Sequence, residues 1–369
     1  MRFLDRDGFE RMLAMLAERG YDVIGPTVRD GAIVLDRIEG VEDLPRGVRE
    51  VHGPGSYRLE ETGEDRLFAW AHGPDAGKRF LFPPRETIRS GTRDEHGRAS
   101  VHPAPLADVR YAFVGLRSCD LHAIEIQDRV FLMADPAYRE RRERSLFIGV
   151  NCEEPGATCF CSSMATGPRC SSGFDLALTE LADGGFTVDI GTPAGAELLD
   201  ALRATKAVGA RIAESYAVTE HAIERIRTHL DDAADVPALL QRNREHPRWD
   251  EVAERCLTCT SCTMVCPTCF CHDLVDAVSL DGTRWSRERE WASCFSETFS
   301  HMASGNVRSS ARSRYRQWLT HKFSSWVDQF GTSGCVGCGR CITWCPVGID
   351  VTEEIEAISA TDGRTEVAS

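Results

Sequence analysis

Apolar residues recur at helical spacing over 7–19, where Phe9, Met12, Leu13 and Leu16 share one face and Gly20 follows as a C-cap. Beyond that helix the pattern shortens. Runs at 32–35, 56–59, 67–70 and 79–82 read as strands broken by Gly and Pro, so residues 22–84 predict a small α+β unit. Residues 85–108 are polar, with Gly91, Asp94, Gly97, Pro103 and Pro105, and read as a loop. A β-α-β unit follows, with strands at 111–116 and 145–150 around a helix over 120–132. Residues 174–203 predict a further helix and a strand at 186–190. A charge-mixed helical connector spans 209–245 with a break at 231–235, and Pro247 and Trp249 lead out of it. A long basic helix is expected over 307–330.

The cysteines give the last third of the chain its chemistry. Cys256, Cys259, Cys262 and Cys266 precede Pro267, and Cys335, Cys338, Cys341 and Cys345 precede Pro346. Each set has the spacing C-x-x-C-x-x-C-x-x-x-C-P, which wraps a cubane iron–sulfur cluster in two-cluster ferredoxins. Three cysteines spaced two residues apart place thiolates on three corners of a cubane, and the fourth serves the other cluster. On this rule Cys256, Cys259, Cys262 and Cys345 hold one [4Fe-4S] cluster, and Cys335, Cys338, Cys341 and Cys266 hold a second. Gly334, Gly337 and Gly339 carry no Cβ and are expected to let the second loop approach inorganic sulfide. A zinc ribbon needs only four thiolates in two pairs, fewer than these runs supply, so the spacing favours iron–sulfur over zinc.

A third group is less regular. Cys119 lies just past the first strand of the β-α-β unit, Cys152 just past the second, and Cys159 and Cys161 follow in a Gly/Pro-flanked segment. In a right-handed unit these four thiols reach one carboxyl edge of a parallel sheet, enough for a third cubane. The alternative is that they pack as small hydrophobes. Cys170 is left as a spare. Between Cys266 and Cys335 lie 68 residues containing Cys269, Cys271 and Cys294. These three either hold or tune a metal centre or are buried thiols beside the clusters; three ligands do not complete a cubane, which favours the latter. The basic residues of the helix expected over 307–330, among them Arg308, Arg312, Arg314, Arg316 and Lys322, are expected to compensate cluster charge or to face an acidic partner.

The predicted fold is therefore an α+β/α/β N-terminal region with a β-α-β unit, followed by a mostly helical, ferredoxin-like 4Fe-4S dicluster domain with a long helical insertion. The expected divisions are 1–108, 109–205, 206–250 and 251–369. With 369 residues, 42% hydrophobic and 27% charged, the chain has the composition of a globular protein. A net charge of −14 argues against nucleic acid as a partner. No stretch reaches the roughly 20 apolar residues that span a bilayer. The opening residues carry no export-type apolar run, so a cytoplasmic setting without a disulfide framework is expected. No dinucleotide fingerprint, nucleophile elbow or His-rich metal site stands out among the eleven histidines. No flavin or nucleotide is expected on this chain, and no catalytic residue is assigned.

The strings around Cys119 (Gly-Leu-Arg-Ser-Cys-Asp-Leu-His-Ala), Cys159–Pro168 (Cys-Phe-Cys-Ser-Ser-Met-Ala-Thr-Gly-Pro), Cys266–Cys271 (Cys-Pro-Thr-Cys-Phe-Cys) and Gly334–Cys341 resemble one family. It comprises the beta subunits of soluble nickel–iron hydrogenases (sulfhydrogenases) together with the A subunit of anaerobic sulfite reductase. The resemblance covers most of 110–350. It implies an electron-transfer subunit, a relay and not the catalytic centre, beside a flavin subunit that reacts with NAD(P)H and a terminal catalytic subunit, with hydrogenase favoured over sulfite reductase. It points to the eight paired cysteines as ligands and suggests Cys119, Cys152, Cys159 and Cys161 as a third group. A self-sufficient reductase of sulfur species, with substrate at the N-terminal cluster, is the alternative from another class.

Overall fold

The computed structural model describes residues 1–106 and 108–362, so the end of the expected last region, 363–369, lies outside the described residues. The chain opens with β1 (Arg2–Leu4), β2 (Asp22–Arg29) and β3 (Ala32–Arg37), then two hairpins, β4 (Val48–Gly53) with β5 (Ser56–Glu61) and β6 (Arg85–Arg93) with β7 (Ala99–Pro103). Next come β8 (Tyr111–Leu116), β9 (Leu146–Val150), β10 (Leu176–Glu180), β11 (Phe186–Ile190) and β12 (Thr205–Lys206). A later hairpin pairs β13 (His272–Val278) with β14 (Arg284–Trp291).

One sheet has the order β12-β1-β11-β10-β9-β8-β2-β3, and its centre, β10-β9-β8-β2, is parallel. Side chains alternate across it as the pleat requires. Ala112, Val114, Ile148 and Val150 face one core with Phe9, Met12, Leu13 and Leu16 of the helix Arg6–Glu18. Phe113 and Phe147 face the other, with Leu121, Ile124 and Phe131 of the helix Ser118–Phe131. Burial on both faces is characteristic of a parallel sheet. The expected β-α-β unit is present, with Cys119 at the start of its helix and Cys152 just after β9.

Several expectations differ from the structure. Residues 67–70 form no strand, because side chains satisfy their backbone: Glu180 accepts from the N–H groups of Leu67 and Phe68, and Arg117 donates to the carbonyls of Phe68, Trp70 and Ala71. Residues 79–82 fall on a short helix, Lys78–Leu81. Residues 85–108 are not a loop, since β6 and β7 lie in a second sheet of order β13-β14-β6-β7. The same sheet adds strands to the last region, whose expected mostly helical character is not confirmed. Its insertion begins with the β13–β14 hairpin, and β14 joins β6 in register from Arg284↔Thr92 to Glu290↔Arg85. The helix expected over 307–330 is split into Ala311–Thr320 and Trp326–Phe330 by a wider turn at His321–Ser325.

Arg117, at the carboxyl edge of the main sheet, is 1% exposed. Its guanidinium also reaches the carbonyls of Val150 and Asn151 beyond β9 and stacks on Trp70, 4.3 Å from the ring centroid. Replacing it strands several buried acceptors at once. Arg117→Leu is expected to lower unfolding stability by about 3 kcal/mol or more in chemical denaturation. A loss below about 1 kcal/mol would show that the edge is organised by something else.

Candidate metal centres

The two cysteine runs fold alike. In the first, Cys256 ends the helix Arg248–Arg255, Thr258 and Thr260 take positive φ (51° and 71°), and a short helix Ser261–Met264 carries Cys262. In the second, Gly337 and Gly339 take the same turns (63° and 73°), and the short helix Arg340–Thr343 carries Cys341. The left-handed positions follow from the triplet winding, and the first run accepts them with threonine.

The runs cross. One cavity is lined by Cys256, Cys259, Cys262 and Cys345, with Phe295, Tyr315, Trp318 and Ile349 among its walls. A second is lined by Cys266, Cys335, Cys338 and Cys341, with Phe160, Thr268, Trp318 and Lys322. The structure thus brings the first three cysteines of each run together with the last cysteine of the other. Cys341 borders both cavities, so the two spaces are neighbours. Among the described residues no three His, Cys, Asp or Glu side chains converge as they would on a single metal ion. Sulfurs disposed around a space fit the separate corners of a cubane better than a zinc tetrahedron with Zn–S of about 2.3 Å.

Electrostatics add to the fit. Burial pushes the Cys335 thiol up to about 12 and those of Cys262 and Cys341 well above the ordinary value, with neighbouring sulfurs adding to the effect. Thiolate ligation here therefore needs cationic metal and releases protons as it forms. Two buried lysines lie in the same layer. Lys322 donates to Thr268 Oγ1 and, at 3.3 Å, to the Gly334 carbonyl. Burial alone would lower its pKa, yet the sulfurs of Cys266, Cys269 and Cys335 hold its ammonium above the usual lysine range. Lys78 donates to the Cys266 carbonyl at 3.0 Å and sits 3.7 Å over the Trp291 ring, its pKa lowered to about 8 by burial. The structure thus directs Lys322 inward, whereas Arg312 and Arg316 of the same basic stretch pair with Glu245.

Cys119, Cys152, Cys159 and Cys161 are all buried at the carboxyl edge of β8 and β9. Burial pushes the Cys161 thiol up to about 12 and raises Cys119 and Cys159 well above their ordinary value. Cys170 is buried beside them, and its amide N–H donates to Asn151 at 2.7 Å. This edge docks onto the second cysteine run. The Phe160 N–H donates to the Gly337 carbonyl at 2.8 Å, and Thr166 Oγ1 donates to the Val336 carbonyl at 2.6 Å. Cys159 Sγ lies 3.6 Å from the Cys338 carbonyl and 3.5 Å from His72 Nε2. Arg340, 1% exposed, pairs with Asp120 at 2.8 Å and donates to the Gly73 carbonyl at 2.9 Å.

The glycines of the second run also make room for neighbouring protein atoms. A Cβ on Gly339 would lie 2.2 Å from the Thr158 carbonyl oxygen, and one on Gly337 would lie 2.6 Å from that of Phe160. A Cβ on Gly334 would stand 3.1 Å from the Trp326 ring. These glycines admit the segment 158–161 and Trp326. His72, Lys78, Arg117 and Arg340 escaped the reading of the sequence. Arg340, between the second and third cysteines of its run, was the one with a positional signal.

Residues 255–349 match the family described as 4Fe-4S dicluster domain. Over 334 residues the chain is 28% identical to the sulfhydrogenase 2 subunit beta of Pyrococcus furiosus, covering 84% of this chain and 92% of that protein. No solved structure matches. Among the described residues no helix is long and apolar enough to cross a membrane.

The contrast between the two runs gives a test. Thr260→Gly relieves a left-handed β-branched residue and is expected to be neutral or stabilising by up to about 1 kcal/mol. Gly339→Ala is expected to cost about 2 kcal/mol or more, because backbone must move. Thermal unfolding of the two variants checks this, and equal effects would refute the packing role of Gly339. The resemblance drawn from the cysteine strings is shown by both comparisons: the chain is similar to a sulfhydrogenase beta subunit along most of its length, and its cysteine runs lie in a 4Fe-4S dicluster domain.

Proposed function

We propose that this chain is an electron-transfer subunit that relays electrons between a flavin subunit reacting with NAD(P)H and a catalytic subunit of hydrogenase type. Cys256, Cys259, Cys262 and Cys345 hold one [4Fe-4S] cluster, Cys335, Cys338, Cys341 and Cys266 a second, and Cys119, Cys152, Cys159 and Cys161 a third. Each cluster, when bound, supplies the exchange of one electron at a time. The observation that carries the reading is the pair of adjoining cavities, each lined by three cysteines of one run and the last of the other. A relay also needs short steps, and the hydrogen bond from Phe160 to Gly337 brings the third group against the second run. The name of the Pyrococcus relative supports the hydrogenase side of the assignment.

The chain's own residues set the conditions of transfer. Apolar walls from Phe295, Trp318 and Phe323 limit water around the first two sites. Lys322 and Lys78 place positive charge beside the sulfurs of the second, which favours the more negative, reduced form there. Cys259 is exposed, so the first site stands closest to solvent and suits exchange with a partner.

Iron and acid-labile sulfide, counted with zinc on anaerobically purified protein, test the ligand sets. About twelve irons per chain are expected for three cubanes, and about eight would remove the third. Cys338→Ala is expected to lose about four irons and to stop electron transfer through the complex, while the partners keep their isolated half-reactions. Unchanged turnover in that variant, or zinc without sulfide in the parent, would overturn the relay.

A further inference from the structure

Cys271 and Cys294 border neither cavity, yet they are neighbours. Cys271 immediately precedes β13, and Cys294 follows β14 by three residues. The hairpin register, His272 opposite Trp291, closes the two ends on each other, and the Ala292 N–H donates to the Cys271 carbonyl at 2.9 Å. This closure sets the Cys294 side chain beside the Cys271 sulfur, and the thiol pKa of each is shifted by the other. The pair is anchored beside Cys262 and Cys266, the cysteines assigned to different sites. Ser293 is tied to Thr263, next to Cys262, by a 2.8 Å hydroxyl hydrogen bond. Cys271 lies in the field of Lys322 and Lys78, the lysines that flank Cys266.

We propose that Cys271 and Cys294 are a redox-active dithiol, a two-electron couple set between two one-electron centres. The proposal rests on the relay reading for its electron acceptors. In oxidation both thiol protons leave to water, one S–S bond forms between the two sulfurs, and one electron passes to each of two one-electron acceptors. Iron–sulfur clusters beside Cys262 and Cys266 are acceptors of that class. In reduction two electrons and two protons return and the S–S bond breaks. The local chemistry suits the exchange. Both cysteines are half-buried, so protons can reach solvent. The neighbouring Cys294 lowers the Cys271 thiol to about 7, and the buried ammoniums favour its thiolate, the form that attacks sulfur. Cys269 differs, because its neighbour is Cys266, which borders the second cavity.

The test uses the full-length chain, purified anaerobically with its clusters and poised at a series of potentials in thiol–disulfide buffer. Samples are quenched by alkylation and digested, with iron and sulfide counted alongside. A Cys271–Cys294 cross-linked peptide is expected to appear and vanish reversibly as a two-electron transition. Cys294→Ser is expected to abolish it with iron content unchanged. Alkylation of both cysteines at every potential in iron-replete protein would overturn the proposal, as would a cross-link seen only after exposure to air. Loss of iron in Cys294→Ser would overturn it too, by making Cys294 a cluster ligand. A parent that carries no iron sinks the relay instead, and the reversible cross-link remains readable on its own.

Discussion

Burying a charge without a counter-charge is expensive, and this protein buries several cations around its sulfurs. Lys78, Lys322 and Arg117 are each at most 7% exposed, and within the described residues none makes an ion pair with a carboxylate. Their partners are carbonyl and hydroxyl oxygens and, for the lysines, the field of cysteine sulfurs. Arg340 adds a guanidinium that is shared between Asp120 and Gly73. The arrangement makes electrostatic sense when the sulfurs are thiolates of an anionic centre. Without that anion, the thiols would be neutral and the ammoniums would lose their main compensation.

Lys78 and several uncharged groups join the two halves of the chain. Lys78 reaches the carbonyl of Cys266, and His72 meets that of Cys338. Gly55 donates to the Ile342 carbonyl at 3.1 Å, and Tyr57 packs on Trp344 at 4.9 Å between ring centroids. With β14 paired to β6, these contacts tie the region before residue 110 to the cysteine runs. A division of the chain near residue 250 therefore marks a change of chemistry and cuts across shared hydrogen bonds.

The sequence spoke most clearly where one physical demand acted alone. Apolar periodicity located the helix Arg6–Glu18 and the strands β8, β9 and β11, because their buried faces are continuous. The cysteine spacing located the paired runs, since few other chemistries use that winding. The reading failed where burial and polarity part company. β13 is exposed along its whole length, and the half-covered positions of β6 are Glu86, Ile88 and Ser90, so neither sequence shows the apolar–polar alternation that marks a half-buried strand. Residues 67–70 show the reverse, an apolar run whose backbone partners are side chains from 47 to 113 positions away. The glycines of the second run were legible as necessary but not for what. Only the fold reveals that Thr158 and Phe160 occupy the space that a Cβ would need.

The two cores differ in what they require of metal. The core around the main sheet contains Phe9, Val114, Ile148 and Leu178 and no cysteine, so ordinary apolar burial can form it. The core of the cysteine-run region, built on Trp249, Trp318, Phe323 and Ile355, has Cys256, Cys262, Cys294, Cys335, Cys341 and Cys345 packed along its edge. All of these except Cys294 border the two cavities, where packing leaves space and dispersion contacts are missing. Filling that space with a ligated cluster would supply both the missing contacts and the charge that Lys322 lacks. Metal insertion and the final packing of this region are then one process, as they are wherever a site does not exist in the unfolded chain. The segment 158–161 is carried along with it, since its hydrogen bonds end on Gly337 and Gly339. Cys119 and Cys152 are held by the main sheet, so only the Cys159–Cys161 part of the third group depends on the second run.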